Sequence, residues 1–195
     1  MKLNGTGYAL IIIGIMACFY IYHTSEYANL KCIISDVDGN QYCVRERRKL
    51  ELAADRLATV NNNMKKVVSH CKEKFANKEN VKRLVKGYNP QKIYETLPTS
   101  KYTAYSQNKG EKMAFCLDTE KKDGQLIDMN TLTFVALHEL AHVATLSIGH
   151  TDEFWSNFKF LLQQAKKIGV YDPVDYKKEP QRYCGMTIDD NPYYG

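Results

Sequence analysis

The stretch that decides the fold of this chain is HELAHVATLSIGHTDEFW, residues 138–155. It holds three of the chain's five histidines, and Glu139 directly follows the first of them. Apolar side chains fill most of the surrounding positions, which predicts a helix that is largely buried. A buried imidazole or carboxylate costs free energy unless something pairs with it. The sequence therefore indicates that these polar groups share a partner.

That partner is predicted to be a metal ion. On an α-helix, residues i and i+4 share a face, so His138 and His142 can direct ring nitrogens at one point. Zinc binds such nitrogens at about 2.0–2.1 Å, and a catalytic zinc site has three protein ligands and one open position. Gly149 allows the chain to reverse after the helix, so that His150 can return as the third ligand. The alternative third ligands are Asp152, Glu153 and Glu179.

Glu139 is predicted to act as a general base. It is rotated from His138 by about 100° around the helix, too far to be a convenient ligand but within reach of a water molecule at the metal. The alternative is that all three histidines are surface or satisfied core residues, since an H-E-x-x-H match also arises by chance. The apolar neighbours of the motif favour the metal site. They are Val135, Leu137, Leu140, Ala141 and Val143.

HELAH followed by GHTDEFW resembles the zincin metallopeptidases of the WLM and SprT-like type, over a region from about residue 100 to 168. The resemblance implies that His138, His142 and His150 hold Zn²⁺ and that Glu139 is the catalytic residue. It also implies a zincin-like domain in which the histidine helix is the active-site helix.

The same resemblance implies how a substrate binds. Zincins run an edge strand beside the active helix, where a peptide substrate can pair with it, and EKMAFCLD (residues 111–118) is the candidate strand. Phe154 and Trp155 are expected to pack at the start of the next helix. Thr151 stands where the family commonly has glycine, which leaves the subfamily and the substrate open. Tyr183 is a candidate for stabilising the oxyanion.

Outward from this stretch, the pattern predicts an α+β domain. One long amphipathic helix, or two end to end, is expected from residue 44 to about 75, with NNN at residues 61–63 as the weak point. A further helical turn is expected to end near Gly87. Strands are expected within residues 101–110 and 111–118, with turns at Lys109–Gly110 and at KKDG. These features predict a small antiparallel sheet before the histidine helix.

The ends of the last two helices are also predicted. Asp128 or Asn130 caps the histidine helix, and Gly149 ends it. Thr151 or Asp152 caps the following helix, which Gly169 closes. The buried face of this last helix is expected to comprise Phe154, Trp155, Phe158, Leu161, Leu162, Ala165 and Ile168.

The N-terminus differs in composition from the rest of the chain. YALIIIGIMACFYIY (residues 8–22) is almost wholly apolar, and the segment from residue 3 to 22 can span about 30 Å as a helix, the thickness of a bilayer core. We expect a membrane anchor at 1–24, a juxtamembrane segment at 25–43 with a short hairpin around DVDGN, and the metallopeptidase domain at 44–195. A cleaved signal peptide and a buried core helix are the alternatives. The side of the membrane is left open.

The net charge and the cysteine count limit the expected partners and disulfides. The net charge of +5 does not require a polyanionic partner, so nucleic acid is not expected. Five cysteines lie beyond the anchor, at Cys32, Cys43, Cys71, Cys116 and Cys184. Because the number is odd, at least one is free or pairs between chains. Cys32 and Cys43 are a candidate disulfide across a turn; alternatively, all five are small buried apolar residues.

The sequence thus predicts a membrane-anchored zinc metallopeptidase that hydrolyses peptide bonds in a membrane-proximal protein or peptide. The first alternative is a structural or scaffolding membrane protein whose zincin fold binds metal but turns over little. A zinc hydrolase that acts on a non-peptide bond is the second. The oligomeric state is not predicted.

Overall fold

The computed structural model describes residues 4–24, 30–122 and 124–195. In chain order, its elements are α1 (Gly5–Thr24), β1 (Leu30–Ile34), β2 (Gln41–Arg45), α2 (Leu50–Lys74), α3 (Glu79–Gly87), β3 (Ile93–Glu95), β4 (Ala104–Gln107), β5 (Lys112–Phe115), α4 (Met129–Ala144), α5 (Asp152–Lys167), β6 (Gln181–Tyr183) and β7 (Met186–Ile188). Helices packed beside a sheet give the α+β class that the sequence predicts.

The main sheet has the strand order β1-β2-β3-β5-β4. β3 runs parallel to both β2 and β5, whereas the two edge strands, β1 and β4, are antiparallel to their neighbours. The predicted antiparallel pairing of the two strands before the histidine helix is confirmed in β4 and β5, but the sheet that contains them is larger than predicted and mixed. The reason is the connection from β2 to β3, which passes through α2 and α3 and returns the chain in the same direction.

The hairpin predicted around DVDGN forms between β1 and β2. The Ser35 amide donates to the Asn40 carbonyl at 2.9 Å, and Gly39 takes the positive φ of 71° that the turn requires. β2 also pairs with β3, so this hairpin is part of the main sheet. Residues 25–29 of the expected juxtamembrane segment lie outside the described residues, and the division of the chain at residues 24 and 43 stays a prediction.

Helix α2 begins at Leu50, later than predicted, because Val44 lies in β2. It continues without a break through residues 61–63, where the sequence indicates a weak point. Asn61 is buried, and its side-chain amide donates to the Tyr42 hydroxyl and the Pro90 carbonyl, both at 2.9 Å. These tertiary partners satisfy a side chain that would otherwise compete with the helix backbone.

Helix α4 lies at the centre of the domain, packed against α2, α3 and α5. Twelve of its sixteen residues are buried, as expected from its apolar sequence. Asp128, one of the two predicted caps, accepts a hydrogen bond from the Thr131 amide at 2.8 Å. The helix ends at Ala144, before the predicted end at Gly149, because Thr145 already has an extended backbone with φ −92° and ψ 136°.

Helix α5 has the predicted ends. The Thr151 side chain accepts from the Phe154 amide at its start, and Gly169 closes it with a φ of 70°. Its buried face forms as expected except at Trp155, whose surface is 43% exposed, and at Ile168, which is only partly buried and lies just past the end of the helix. The tail then forms a two-stranded hairpin, β6–β7.

Helix α1 is long and apolar enough over Gly5–Tyr22 to cross a membrane, and none of that stretch is buried inside the molecule. Its exposure does not fit the alternative of a helix buried in the core. Length and composition alone suit both a membrane span and a signal sequence.

Two disulfides join four of the cysteines. Cys32 pairs with Cys43 across the β1–β2 hairpin, as predicted. Cys116 pairs with Cys184, 68 residues later, and so ties the segment after β5 to the β6–β7 hairpin. Cys71 is a free, buried thiol, and burial raises its pKa to about 11.

Candidate metal centre

The first two predicted ligands meet on the inner face of α4. The Nε2 atoms of His138 and His142 lie 3.2 Å apart, one helical turn from each other. Because the two residues are at i and i+4, the geometry of the helix itself produces this approach. His138 is largely enclosed, while His142 is nearer to solvent.

The third histidine reaches the same point from the turn between α4 and α5. Gly149 has a φ of 87°, a left-handed conformation that glycine adopts without strain, and it redirects the chain towards the helix. His150 then places its Nε2 atom 3.1 Å from that of His138. The ligand atoms of all three histidines lie within 4.8 Å of one another.

This arrangement fits a metal ion. Three nitrogens that each lie about 2.0–2.1 Å from one tetrahedral ion would be about 3.3 Å from each other, close to the spacing observed. Within the described part of the chain, these three histidines form the group with metal-binding geometry. The alternative ligands Asp152, Glu153 and Glu179 do not join it. Glu153 instead bonds Arg83 and the backbone amide of Leu146.

Burial keeps the two helical imidazoles neutral. It is the main cause that lowers the pKa of His138 to about 3, and the charges of His142 and His150 add to the effect. Burial likewise lowers the pKa of His142 to about 4, helped by His150 and Lys109. Neutral imidazoles carry the free lone pair that a metal requires.

Glu139 lies beside the histidine group, on the same helix, and is almost fully enclosed. Burial raises its pKa to about 8. A divalent cation nearby would favour the charged carboxylate and lower this pKa again. The neutral imidazoles of His138 and His142 and the desolvated acid beside them therefore also suit a bound cation.

Aromatic rings of α5 hold the imidazoles in place. The Phe154 ring packs 4.3 Å from the His142 ring, at an angle of 30°, and the Phe158 ring lies 5.3 Å from that of His138. Phe154 thus packs behind the site, as the resemblance implies. Trp155 differs, because it stands at the surface with its ring 5.6 Å from that of His150.

The site opens into a cleft of about 1160 Å³. Strand β4, the β6–β7 hairpin, α4 and the start of α5 all contribute residues to its lining. Side chains that line it include Tyr102, Tyr105, Phe134, Trp155, Met186 and Ile188. Its walls are mainly apolar, and its volume exceeds the range of about 300–1,000 Å³ that is usual for small-molecule pockets.

The strand beside this cleft is β4, not the predicted strand at residues 111–118. β5 forms within that predicted segment, but it lies between β3 and β4. The prediction was wrong because β5 is the more apolar strand, and its apolar character reflects burial on both faces rather than a place at the edge.

Tyr183 lies in the wall of the cleft, but its hydroxyl donates to the Thr103 carbonyl at 3.3 Å. Burial raises its pKa, and the nearby Glu139 carboxylate adds to the effect. The structure therefore shows a tyrosine that holds the start of β4, while its role at an oxyanion stays a prediction.

Sequence reasoning missed two cations at the end of α4. Arg83 of α3 and Lys109 of the β4–β5 turn both donate to carbonyls where the helix ends. The sequence carries a weak signal for Lys109, which falls in the predicted turn. No local pattern connects Arg83, about sixty residues earlier, with the end of α4.

The chain belongs to the WLM domain family, which its residues 52–192 match. This is a zincin-like metallopeptidase-type domain, and the resemblance drawn from the sequence is confirmed. No solved structure matches the chain.

Several viral proteins are similar to it. "Uncharacterized protein R325" of Acanthamoeba polyphaga mimivirus is 29% identical over 185 residues, which cover 93% of each chain. "Uncharacterized protein 136R" of Invertebrate iridescent virus 6 is 37% identical over 81 residues, 42% of this chain and 44% of that protein. "Uncharacterized protein 042R" of Invertebrate iridescent virus 3 is 40% identical over 83 residues, 43% of this chain and 50% of that protein.

Proposed function

We propose that this chain is a membrane-anchored, zinc-dependent metallopeptidase. One observation carries the proposal: three imidazole Nε2 atoms converge on a point beside a buried carboxylate, at the wall of a large apolar cleft. Three histidines with an open fourth position are a donor set of catalytic zinc sites. Membership of the WLM domain family supports the same class of enzyme.

Zinc, when bound by the three histidines, would lower the pKa of water and polarise the scissile carbonyl. Glu139 would accept the proton of the attacking water and later deliver it to the leaving amine nitrogen. The product pair is a carboxylate and an amine, and no other reactant is needed. Enclosure of the site by Phe154 and Phe158 excludes bulk water from the back of the imidazoles.

The proposed substrate is an extended segment of a protein or peptide. β4 is an edge strand beside the cleft, so a substrate segment could add to the sheet as a further strand. Main-chain pairing of this kind would bring a peptide bond alongside α4. The apolar cleft walls favour a segment with apolar side chains.

Helix α1 is proposed to hold the enzyme at a membrane, so that nearby proteins are its substrates. Its length, apolar composition and exposure support this. The expressed full chain should resist extraction from membranes by alkaline carbonate, and its N-terminus should be intact. Release into the supernatant, or a mature N-terminus beyond residue 24, would instead indicate a cleaved signal sequence.

The catalytic proposal is tested with Glu139→Gln, which keeps the size of the side chain and removes the base. We expect the cleavage rate of an unfolded protein substrate to fall by about 10²–10⁴-fold, the usual contribution of a general base. Zinc content should stay at that of the wild type. Glu179→Gln is the matched control, because Glu179 is an exposed acid away from the histidine group, and it should keep full activity.

Two outcomes would contradict the proposal. If Glu139→Gln cleaved as fast as the wild type, Glu139 would not be the base. If the wild type bound zinc but cleaved no peptide, the alternative of a metal-binding scaffold would replace the enzyme.

A further inference from the structure

The turn that carries the third histidine is held by groups from three different elements. This turn, residues 145–150, follows directly from the end of α4, where the last carbonyls have no partners within the helix. The Lys109 ammonium donates to the carbonyls of Thr145 at 2.8 Å and Ser147 at 2.9 Å, and to that of His142 at 3.3 Å. An ammonium has three N–H donors, so all of them are used.

Arg83 is a second cation that binds this end of α4. Arg83 of α3 donates through Nε to the Ala144 carbonyl at 2.8 Å. Through Nη2 it donates to the Glu153 carboxylate at 2.7 Å. Glu153 in turn accepts from the amides of Leu146 and Ser147. The carbonyls of the turn are thus bound by cations, and its amides are bound by a carboxylate.

The position and the charge of Lys109 both suit it to bind the end of α4. A positive charge at the C-terminus of a helix is stabilised by the helix dipole. Lys109 itself has a φ of 55°, a left-handed conformation that a lysine adopts at a cost. Its neighbour Gly110 fixes the turn against α4, because a Cβ atom there would lie 2.9 Å from the Val143 side chain. The backbone of Lys109 is therefore fixed beside the end of α4, and its side chain extends from there to the turn.

We propose that Lys109 is a positioning residue for the metal centre, and that it acts by fixing the turn that brings His150 to the ion. The proposal rests on the proposed function, because it requires that the three histidines bind a metal. Beyond Ser147, the turn has less support: Ile148 is 92% exposed, and Gly149 has open space around it. His150 is held from the α5 side by ring contacts with Phe154 and Trp155, and from the α4 side its position depends on how firmly the turn is held at residues 145–147.

The test replaces Lys109 with methionine, which keeps the length of the side chain and removes the ammonium. We expect zinc affinity, measured by competition with a chromophoric chelator, to fall by about 10–100-fold, the usual loss when a group that orients a ligand is removed. With cobalt(II) in place of zinc, the visible absorption of Lys109→Met should shift away from that of the wild type, because the spectrum reports the number and geometry of the ligands. Lys109→Arg, which keeps the charge and several donors, should recover part of the affinity.

Lys72→Met is the matched control, since Lys72 is an exposed lysine on α2, and it should bind zinc as the wild type does. A purely structural lysine would lower the denaturation midpoint and leave both the affinity and the cobalt spectrum of the folded protein unchanged. That result for Lys109→Met would overturn the proposal.

Hydrogen exchange of the metal-free protein separates this proposal from the proposed function. In Lys109→Met, the amides of residues 145–150 should exchange faster than in the wild type, while those of α2 should not change. Unchanged exchange would refute the role of Lys109 in holding the turn. A wild type that bound no zinc would instead refute the metal centre itself, whatever the exchange result.

Discussion

The Nε2 atoms of His138 and His150 lie 3.1 Å apart although the residues belong to different elements and are twelve positions apart. A helix alone cannot produce this contact, because residues twelve apart on a helix are about 18 Å apart along its axis. The early end of α4 and the reversal at Gly149 are what bring the second imidazole back. Two ring nitrogens at this distance indicate that the two imidazoles bind one ion rather than act as independent surface groups.

Removal of the third ligand is the most direct test of the centre. We expect purified wild-type protein to contain about one zinc per chain, and His150→Ala to lose more affinity than the roughly 10–100-fold that a supporting group contributes. The control is His70→Ala, since His70 lies on α2 and contacts Gln164 instead of the site. Metal content by mass spectrometry and affinity by chelator competition are the measurements. Undiminished affinity in His150→Ala would mean that another group is the third ligand.

The candidate site could be predicted from the sequence because its parts are local. His138, Glu139 and His142 lie within five consecutive residues of α4, and the helix geometry fixes the directions of their side chains. His150 follows a glycine that permits the required reversal. Lys109 could not be found in this way, because its contacts with the end of α4 arise only when the β4–β5 turn packs against that helix.

The disulfide between Cys116 and Cys184 should contribute more to stability than the one between Cys32 and Cys43. A cross-link stabilises by limiting the unfolded chain, and the two loops differ in length, with sequence separations of 68 and 11 residues. The chain-entropy estimate gives about 4 kcal/mol for the longer loop and about 3 kcal/mol for the shorter. The double alanine variants of each pair should therefore differ in urea denaturation midpoint. Equal midpoints would contradict this order.

Thiol labelling should distinguish the free cysteines, Cys18 and Cys71, from those in disulfides. Cys71 is buried, and its pKa is raised to about 11, so very little reactive thiolate forms near neutral pH. In the folded, detergent-solubilised chain, we expect a maleimide to label neither Cys71, which is buried in the domain, nor Cys18, which lies in α1 and is covered by detergent. In denaturant without reductant, both should be labelled, and the mass should show two labels. Four or more labels under that condition would contradict the two disulfides.

The order of strands could not be predicted from the sequence. β3 has only three residues, between the turn at Pro90 and the loop that follows. That is too short for an alternating pattern of apolar and polar residues to be recognised. Without β3, the sequence does not predict the parallel arrangement of the central strands, and its pattern places β5 at the edge of the sheet. Long-range pairing decides these features, whereas the caps at Asp128 and Thr151 depend on residues within one turn and were predicted.

Gly110 should tolerate alanine far less well than Gly169. Both have a positive φ, 102° and 70°, so alanine at either position costs about 1–2 kcal/mol of backbone strain. At Gly169 the added Cβ meets open space, but at Gly110 it would lie 2.7 Å from the Gly87 carbonyl oxygen and 2.9 Å from the Val143 side chain. Overpacking of this kind adds about 1–3 kcal/mol, so Gly110→Ala should have the lower free energy of unfolding in urea. Because the same turn carries Lys109, Gly110→Ala should also weaken zinc binding, whereas Gly169→Ala should not. Equal stability of the two variants would show that the turn is not packed against α3 and α4 as described.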